Sequence, residues 1–251
     1  MDKIVLFGDS ITQHLYDPEK AFNFAAFNDR YRRKKTIVNR GFGGYNTEMA
    51  RLMVEPMLEY ECAGGAKIDL VVIYLGTNDC AEVSNKLQHV DLSRYSDNLR
   101  FICQKTRERG ANIIIAGPGL FNYTVPETVL KDPTNQRGHD FLRYSQACRD
   151  VAKEFAVPFI DLFHAHLAYL GWSEEEYFGN TRPDAAQQLS ELFTDEVHYT
   201  GVTNKIYYDE LVMTIRDHYP AMDSDNMTEI LPFILDIDPD NLEKSLFGDL
   251  Y

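Results

Sequence analysis

The sequence predicts an α/β fold in three layers, α/β/α, with a five-stranded parallel sheet in the middle. Three observations predict it. Five short apolar runs, rich in β-branched residues, recur along the chain. Segments whose apolar residues repeat at about 3.6 residues lie between most of them. The first run ends in Gly8-Asp9-Ser10, a polar turn of the kind that open parallel sheets carry where they bind ligands. Strands buried on both faces read as continuous apolar runs, and alternation with helices implies right-handed crossovers.

The expected strands are Ile4 to Phe7, Thr36 to Asn39, Asp69 to Leu75, Asn112 to Ala116 and Val157 to Ile160. The expected helices are four. Thr47 to Tyr60 carries Met49, Leu52, Met53 and Met57 on one side. Leu92 to Arg107 carries Leu99, Ile102 and Cys103. Phe141 to Phe155 carries Tyr144, Cys148 and Val151, and Gly201 to His218 carries Ile206, Tyr207, Leu211 and Ile215. Five strands so connected fit a flavodoxin-like order, 2-1-3-4-5. Two segments leave the pattern. Residues 162–194 are long for one connection and hold the only tryptophan, Trp172, so they read as a lid or a surface elaboration. Residues 222–251 form an acidic extension to a domain spanning 1–221. Eight acids and one lysine there supply half of the chain's net charge of −14. Ile230, Leu231, Phe233, Ile234, Leu235, Leu242, Leu246 and Phe247 make the extension too apolar for simple disorder. Part of it is expected to pack, on its own domain or on a neighbouring subunit of a homo-oligomer.

Composition narrows the function. With 251 residues and 44% hydrophobic content the chain can bury one sizeable core. Its negative charge argues against nucleic-acid and anionic-membrane partners. Cys62, Cys80, Cys103 and Cys148 form no C-x-x-C pair, so they read as free thiols in a reducing compartment. Only Asp2 and Lys3 separate Met1 from the first strand, leaving no room for a secretory leader, and no apolar run nears the ~18 residues of a membrane span. The expected location is cytoplasmic, with the sequons at Asn122 and Asn226 unused. The basic stretch Arg30, Arg32, Arg33, Lys34 and Lys35 reads as a solvated helix end.

Ser10 needs a base to act as a nucleophile, and a base needs a carboxylate to hold its tautomer. Of seven histidines, two have an aspartate three residues earlier: His164 with Asp161, and His198 with Asp195. Asp161 ends a strand and reads as a helix N-cap, which puts His164 in a first turn among Leu162, Phe163 and Leu167. Asp195 and His198 lie in a polar loop just before Thr200, the expected N-cap of the last helix. The second pair is the better candidate. Acyl transfer also needs donors for the developing oxyanion. The glycine turn Asn39-Arg40-Gly41-Phe42-Gly43-Gly44 offers a backbone N–H, and Asn78, in Gly76-Thr77-Asn78-Asp79, offers a side-chain amide. No Gly-x-Ser-x-Gly elbow, phosphate loop or dinucleotide fingerprint occurs.

Gly8-Asp9-Ser10, Gly44, Gly76-Thr77-Asn78-Asp79 and Asp195-x-x-His198 together resemble, in order and spacing, the four blocks of the SGNH (GDSL-type) hydrolases. The resemblance covers residues 1–219. Residues 39–47, with Gly201-x-x-x-Lys205-Ile206, are similar to the isoamyl acetate-hydrolysing esterase branch. It implies a catalytic triad of Ser10, His198 and Asp195, and an oxyanion hole from Ser10, Gly44 and Asn78. It implies neither metal nor organic cofactor. Asp9 shapes the turn. Phe42 and Tyr45, beside the oxyanion turn, are candidate substrate-binding walls. The implied activity is that of a serine esterase on short-chain, acetate-type small-molecule esters. A lysophospholipid, a thioester or an acetylated sugar would suit the same site, and a non-catalytic flavodoxin-like binding module is the alternative of another class.

Overall fold

Strand β1 (Lys3–Gly8) lies between two parallel neighbours, β2 (Thr36–Gly41) and β3 (Ile68–Tyr74). The computed structural model that shows this describes residues 1–19, 22–125 and 140–248. β3 pairs in parallel with β4 (Asn112–Ala116), and β4 with β5 (Phe159–Ile160). The order is β2-β1-β3-β4-β5, as the sequence predicts. β1 and β3 are buried almost throughout, whereas β2 is a half-exposed edge. β5 begins two residues later than expected. Pro158 has no N–H for the ladder, although its carbonyl still accepts from Ile115 at 3.1 Å.

The helices are α1 (Ser10–Gln13), α2 (Phe22–Arg30), α3 (Thr47–Glu61), α4 (Leu92–Glu108), α5 (Asp140–Glu154), α6 (Leu162–Leu170), α7 (Glu174–Gly179), α8 (Ala185–Leu192), α9 (Gly201–His218) and α10 (Leu242–Phe247). α3, α4 and α5 pack side by side as one layer, and α9 gathers α2, α6 and α8 into the other. The buried face of α3 differs from the expected one. It presents Thr47, Ala50, Val54, Met57 and Leu58 to the core and leaves Leu52 78% exposed.

Residues 162–194 form a packed helical unit instead of an open loop. Asp161 caps α6 by accepting from the His164 N–H at 3.2 Å, and Ser173 with Glu176 forms a capping box on α7. Trp172 is buried, and its indole N–H donates to Gln188 Oε1 at 2.6 Å. Among the described residues no helix is long and apolar enough to cross a membrane.

In the basic stretch Arg30, Arg33 and Lys34 form a clasp, whereas Arg32 stays a solvated end beside Asp29 and Lys35 pairs with Asp69. Arg30 pairs with Asp223 and Asp225, and Arg33 pairs with Glu229 and donates to the carbonyls of Leu231 and Pro232. Lys34 donates to the Ser224 carbonyl at 2.7 Å, and the Tyr31 hydroxyl to that of Met222 at 3.0 Å. Met222, Asp223 and Ser224 are buried as a result. Beyond the clasp the chain turns outward, leaving Phe233, Ile234, Leu235 and Leu242 exposed.

Two loops at the carboxyl end of the sheet are stitched together from inside. The buried carboxyl of Asp79, after β3, accepts from the Thr47 N–H at 2.9 Å and from the Thr47 hydroxyl, at the start of α3. Burial pushes the Asp79 carboxyl up to about 7, against the lowering effect of those two bonds.

Two outcomes follow. Truncation after Asp236 will leave the melting temperature within about a degree of the full chain, whereas truncation after Tyr219 will lower it by several degrees, because among the described residues only the latter strips buried ones. Equal effects in a thermal melt would contradict the clasp. Asp79 binds a proton in the folded chain at pH values where an unfolded carboxyl, near 4, has released it. Its stabilising contribution is therefore complete below about pH 4 and lost as pH rises through 7. Asp79→Asn keeps an acceptor for Thr47 and removes the titration. Its melting temperature will gain on the wild type between pH 4 and 8, and parallel melting curves would overturn the assignment.

Candidate active site

Ser10 is placed by crowding at the end of β1. A Cβ on Gly8 would stand 2.2 Å from Thr12 Oγ1 and 2.3 Å from the Tyr74 carbonyl, so only glycine lets the chain turn there. Asp9 then caps α1, its carboxylate accepting from the Ile11 N–H at 2.9 Å, and Ser10 becomes the first residue of that helix. This is the turn-shaping role expected of Asp9.

The glycine turn after β2 is moored to the same helix. Asn39 Nδ2 donates to the Thr12 carbonyl at 2.7 Å, and the Gly43 N–H to Gln13 Oε1 at 2.7 Å. Gly44 has φ of +79°, a left-handed conformation that suits glycine. Asn78, after β3, is buried, and its Nδ2 donates to the Tyr45 carbonyl at 2.8 Å. The rings of Phe42 and Tyr45 stack at 5.5 Å on this turn.

The last loop is closed on itself. Phe193 and Tyr199 form an antiparallel bridge, and the Thr194 N–H donates to the His198 carbonyl at 2.8 Å. Inside it, Asp195 Oδ1 accepts from the N–H groups of Val197 (2.9 Å) and His198 (2.8 Å). Asp195 Oδ2 lies 2.7 Å from His198 Nδ1, and His198 Nε2 lies 3.0 Å from Ser10 Oγ. Burial alone would raise the Asp195 pKa, but the bonds from the imidazole and the two N–H groups outweigh it and hold it at about 2. A carboxylate fixed in that way keeps the proton on Nδ1 and leaves Nε2 to accept from the serine hydroxyl. The Tyr199 hydroxyl meets that of Tyr74 at 2.8 Å, tying the loop to β3.

The rival pair goes elsewhere. His164 Nδ1 lies 2.8 Å from Asp161 Oδ2, but its Nε2 faces Glu174 Oε1 at 2.9 Å, and Arg149 also binds Asp161. That chain ends on a surface carboxylate rather than a hydroxyl. It is a half-exposed ion cluster, and the buried histidine of α6 is His166.

A cleft of about 90 Å³ opens beside Ser10, lined by Ile11, His14, Asp195, His198, Tyr199 and Asn204. Phe42 instead lines a separate groove of about 550 Å³ between β2 and α3, with Leu52, Met53, Pro56, Met57 and Tyr60. Sequence reasoning did not single out His14, whose ring meets that of His198 edge-on at 5.8 Å, nor Gln88, whose amide bridges Asn78 and Gly44. Nothing in the local pattern around either residue marks it. Among the described residues no group of three or more His, Cys, Asp or Glu side chains is placed to hold a metal ion.

The chain is 31% identical over 238 residues to the isoamyl acetate-hydrolyzing esterase of Saccharomyces cerevisiae, covering 90% of this chain and 91% of the relative. It is 30% identical to a GDSL esterase/lipase of Arabidopsis thaliana, covering 97% of each. A crystal structure of an acetyl xylan esterase shares the fold with a TM-score of 0.64 at 19% identity, covering 85% of this chain and 99% of that one. The profile of the GDSL-like lipase/acylhydrolase family matches residues 6–206, and the chain belongs to that family.

Proposed function

We propose that this carboxylic ester hydrolase is a serine esterase of short-chain acyl esters that works through an acyl-enzyme on Ser10. The observation that carries the reading is the unbroken hydrogen-bonded chain from Ser10 Oγ through His198 to Asp195, at 3.0 and 2.7 Å. Ser10 Oγ attacks the ester carbonyl as His198 Nε2 takes the hydroxyl proton. The carbonyl oxygen gains negative charge and is received by the N–H groups of Ser10 and Gly44 and by the Asn78 amide. His198 then protonates the departing alkoxide. Water, deprotonated by the same imidazole, attacks the acyl-enzyme and releases the acid. Asp195 holds the imidazole and balances the imidazolium.

The size of the cleft supports a small acyl group. Ninety cubic ångströms is little beside the roughly 300–1,000 Å³ of sites that enclose drug-sized ligands. The name of the yeast relative, an isoamyl acetate-hydrolyzing esterase, points the same way. Tyr45 would wall the substrate on the side of the oxyanion turn, with Phe42 stacked behind it and facing the separate groove. One observation favours a second reading, a lysophospholipase: the apolar groove that Phe42 enters has room for a longer chain. Four unpaired cysteines, three of them buried, support the expected reducing, cytoplasmic setting. The exposed apolar residues of the acidic extension support self-association into a homo-oligomer.

Hydrolysis of p-nitrophenyl acetate tests the reading. Ser10→Ala will lose at least ~1,000-fold in kcat, and Asp195→Asn will fall steeply while Asp161→Asn stays near wild type. Equal turnover in wild type and Ser10→Ala would leave only a binding module. Across p-nitrophenyl esters from acetate to palmitate, kcat/KM will peak at the short end. A maximum at long chains would select the groove and the second reading.

A further inference from the structure

The amide of Asn78 has an ambiguity that a serine or backbone donor lacks. Turned by 180°, it fills the same space but presents a carbonyl where the oxyanion needs an N–H. Its neighbours decide which end faces the site. On one side Asn78 Nδ2 donates to the Tyr45 carbonyl at 2.8 Å, and on the other Asn78 Oδ1 accepts from Gln88 Nε2 at 3.0 Å. Only one orientation satisfies both. Gln88 carries the same ambiguity one step back, and Asn85 resolves it: the Gln88 backbone N–H donates to Asn85 Oδ1 at 3.3 Å, which turns Asn85 Nδ2 to donate to Gln88 Oε1 at 3.0 Å, so the nitrogen end of Gln88 faces Asn78.

Gln88 Nε2 also donates to the Gly44 carbonyl at 3.3 Å. Gly44 sits at a positive φ and has no side chain to hold it, so an outside tether sets how it aims its peptide. The loop that carries Gln88 is pinned to the same turn, because Asn46 Nδ2 donates to the carbonyls of Leu87 (3.1 Å) and Gln88 (3.0 Å). The Val90 N–H closes the loop onto the Asp79 carbonyl at 3.2 Å.

We infer that Gln88 is a positioning residue for the oxyanion hole, one amide that fixes both the face Asn78 presents and the conformation of Gly44. The inference rests on the assignment of Asn78 and Gly44 as oxyanion donors. Gln88 does not touch the reacting atoms. It acts on the two groups that do, and it matters most when charge builds on the substrate oxygen. Its removal therefore lowers kcat more than it raises KM.

The test is steady-state hydrolysis of p-nitrophenyl acetate by the full chain and four variants: Gln88→Glu, Gln88→Ala, Asn78→Ala and Asn78→Ala/Gln88→Glu. The carboxylate of Gln88→Glu keeps the shape but cannot donate to Asn78 Oδ1. It will lower kcat by roughly 10- to 100-fold, with KM within about threefold and the melting temperature within a few degrees. Gln88→Ala, which removes the tether without adding charge, will fall less but in the same direction. In the Asn78→Ala background, Gln88→Glu will lose several-fold less than it does alone. Wild-type kcat in both Gln88 variants would overturn the inference, as would losses that multiply fully in the double variant. If Asn78→Ala itself turns over like the wild type, the oxyanion assignment falls, a result distinct from either.

Discussion

The site depends on one steric constraint, the absence of a side chain at Gly8. β1 is the strand through which β2 and β3 communicate, and it ends against the Tyr74 carbonyl and the Thr12 side chain with no room for even one more carbon. The chain can therefore turn into α1 within a residue, and Ser10 opens that helix with its hydroxyl at the sheet rim. A similar tightness holds at Gly41, where a Cβ would stand 2.0 Å from the Gln13 N. The contact at Gly41 brings the end of β2 against α1, so the glycine turn and the serine are held by the same short helix. Close packing of this kind transmits position with little slack.

The imidazole of His198 comes from far along the chain and is held by different means. The loop from Phe193 to Tyr199 carries its own bridge, and the paired hydroxyls of Tyr199 and Tyr74 lock it to the central strand from below. Asp195 serves twice there. One oxygen organises the loop by accepting two backbone N–H bonds, and the other aligns the imidazole. A carboxylate with three donors is a stable anion, which explains why its pKa stays low despite burial.

Much of this was legible in the residues. The five apolar runs gave the strands to within two residues, because a strand buried on both faces has few ways to be written. Gly8, Ser10 and Asn78 stood out because polar or flexible residues at strand ends break that pattern, and Asp195 and His198 because an aspartate stands three residues before a histidine in a polar loop. The helix α6 was foreseen from its cap alone, and α7 and α8 were missed as helices because each is too short for a period to show. Their capping residues, Asp161 and Ser173, were the only readable signs. Leu52 was misplaced because α3 buries threonine and alanine at its start, and a count of large apolar residues does not see them. Gln88 was invisible for another reason. Its importance lies in which end of an amide points where, and no spacing rule encodes that.

The clasp between Arg30–Lys34 and the start of the extension changes how the surface looks to an approaching solute. A run of arginines and lysines would ordinarily attract phosphates and sulfates, but here its charge is largely spent on Asp223, Asp225 and Glu229 and on peptide oxygens. The extension is thus a counter-ion carried on the same polypeptide. At ordinary salt, where fields reach about 8–10 Å, Arg30 and Arg33 thus offer a passing anion paired rather than free charge.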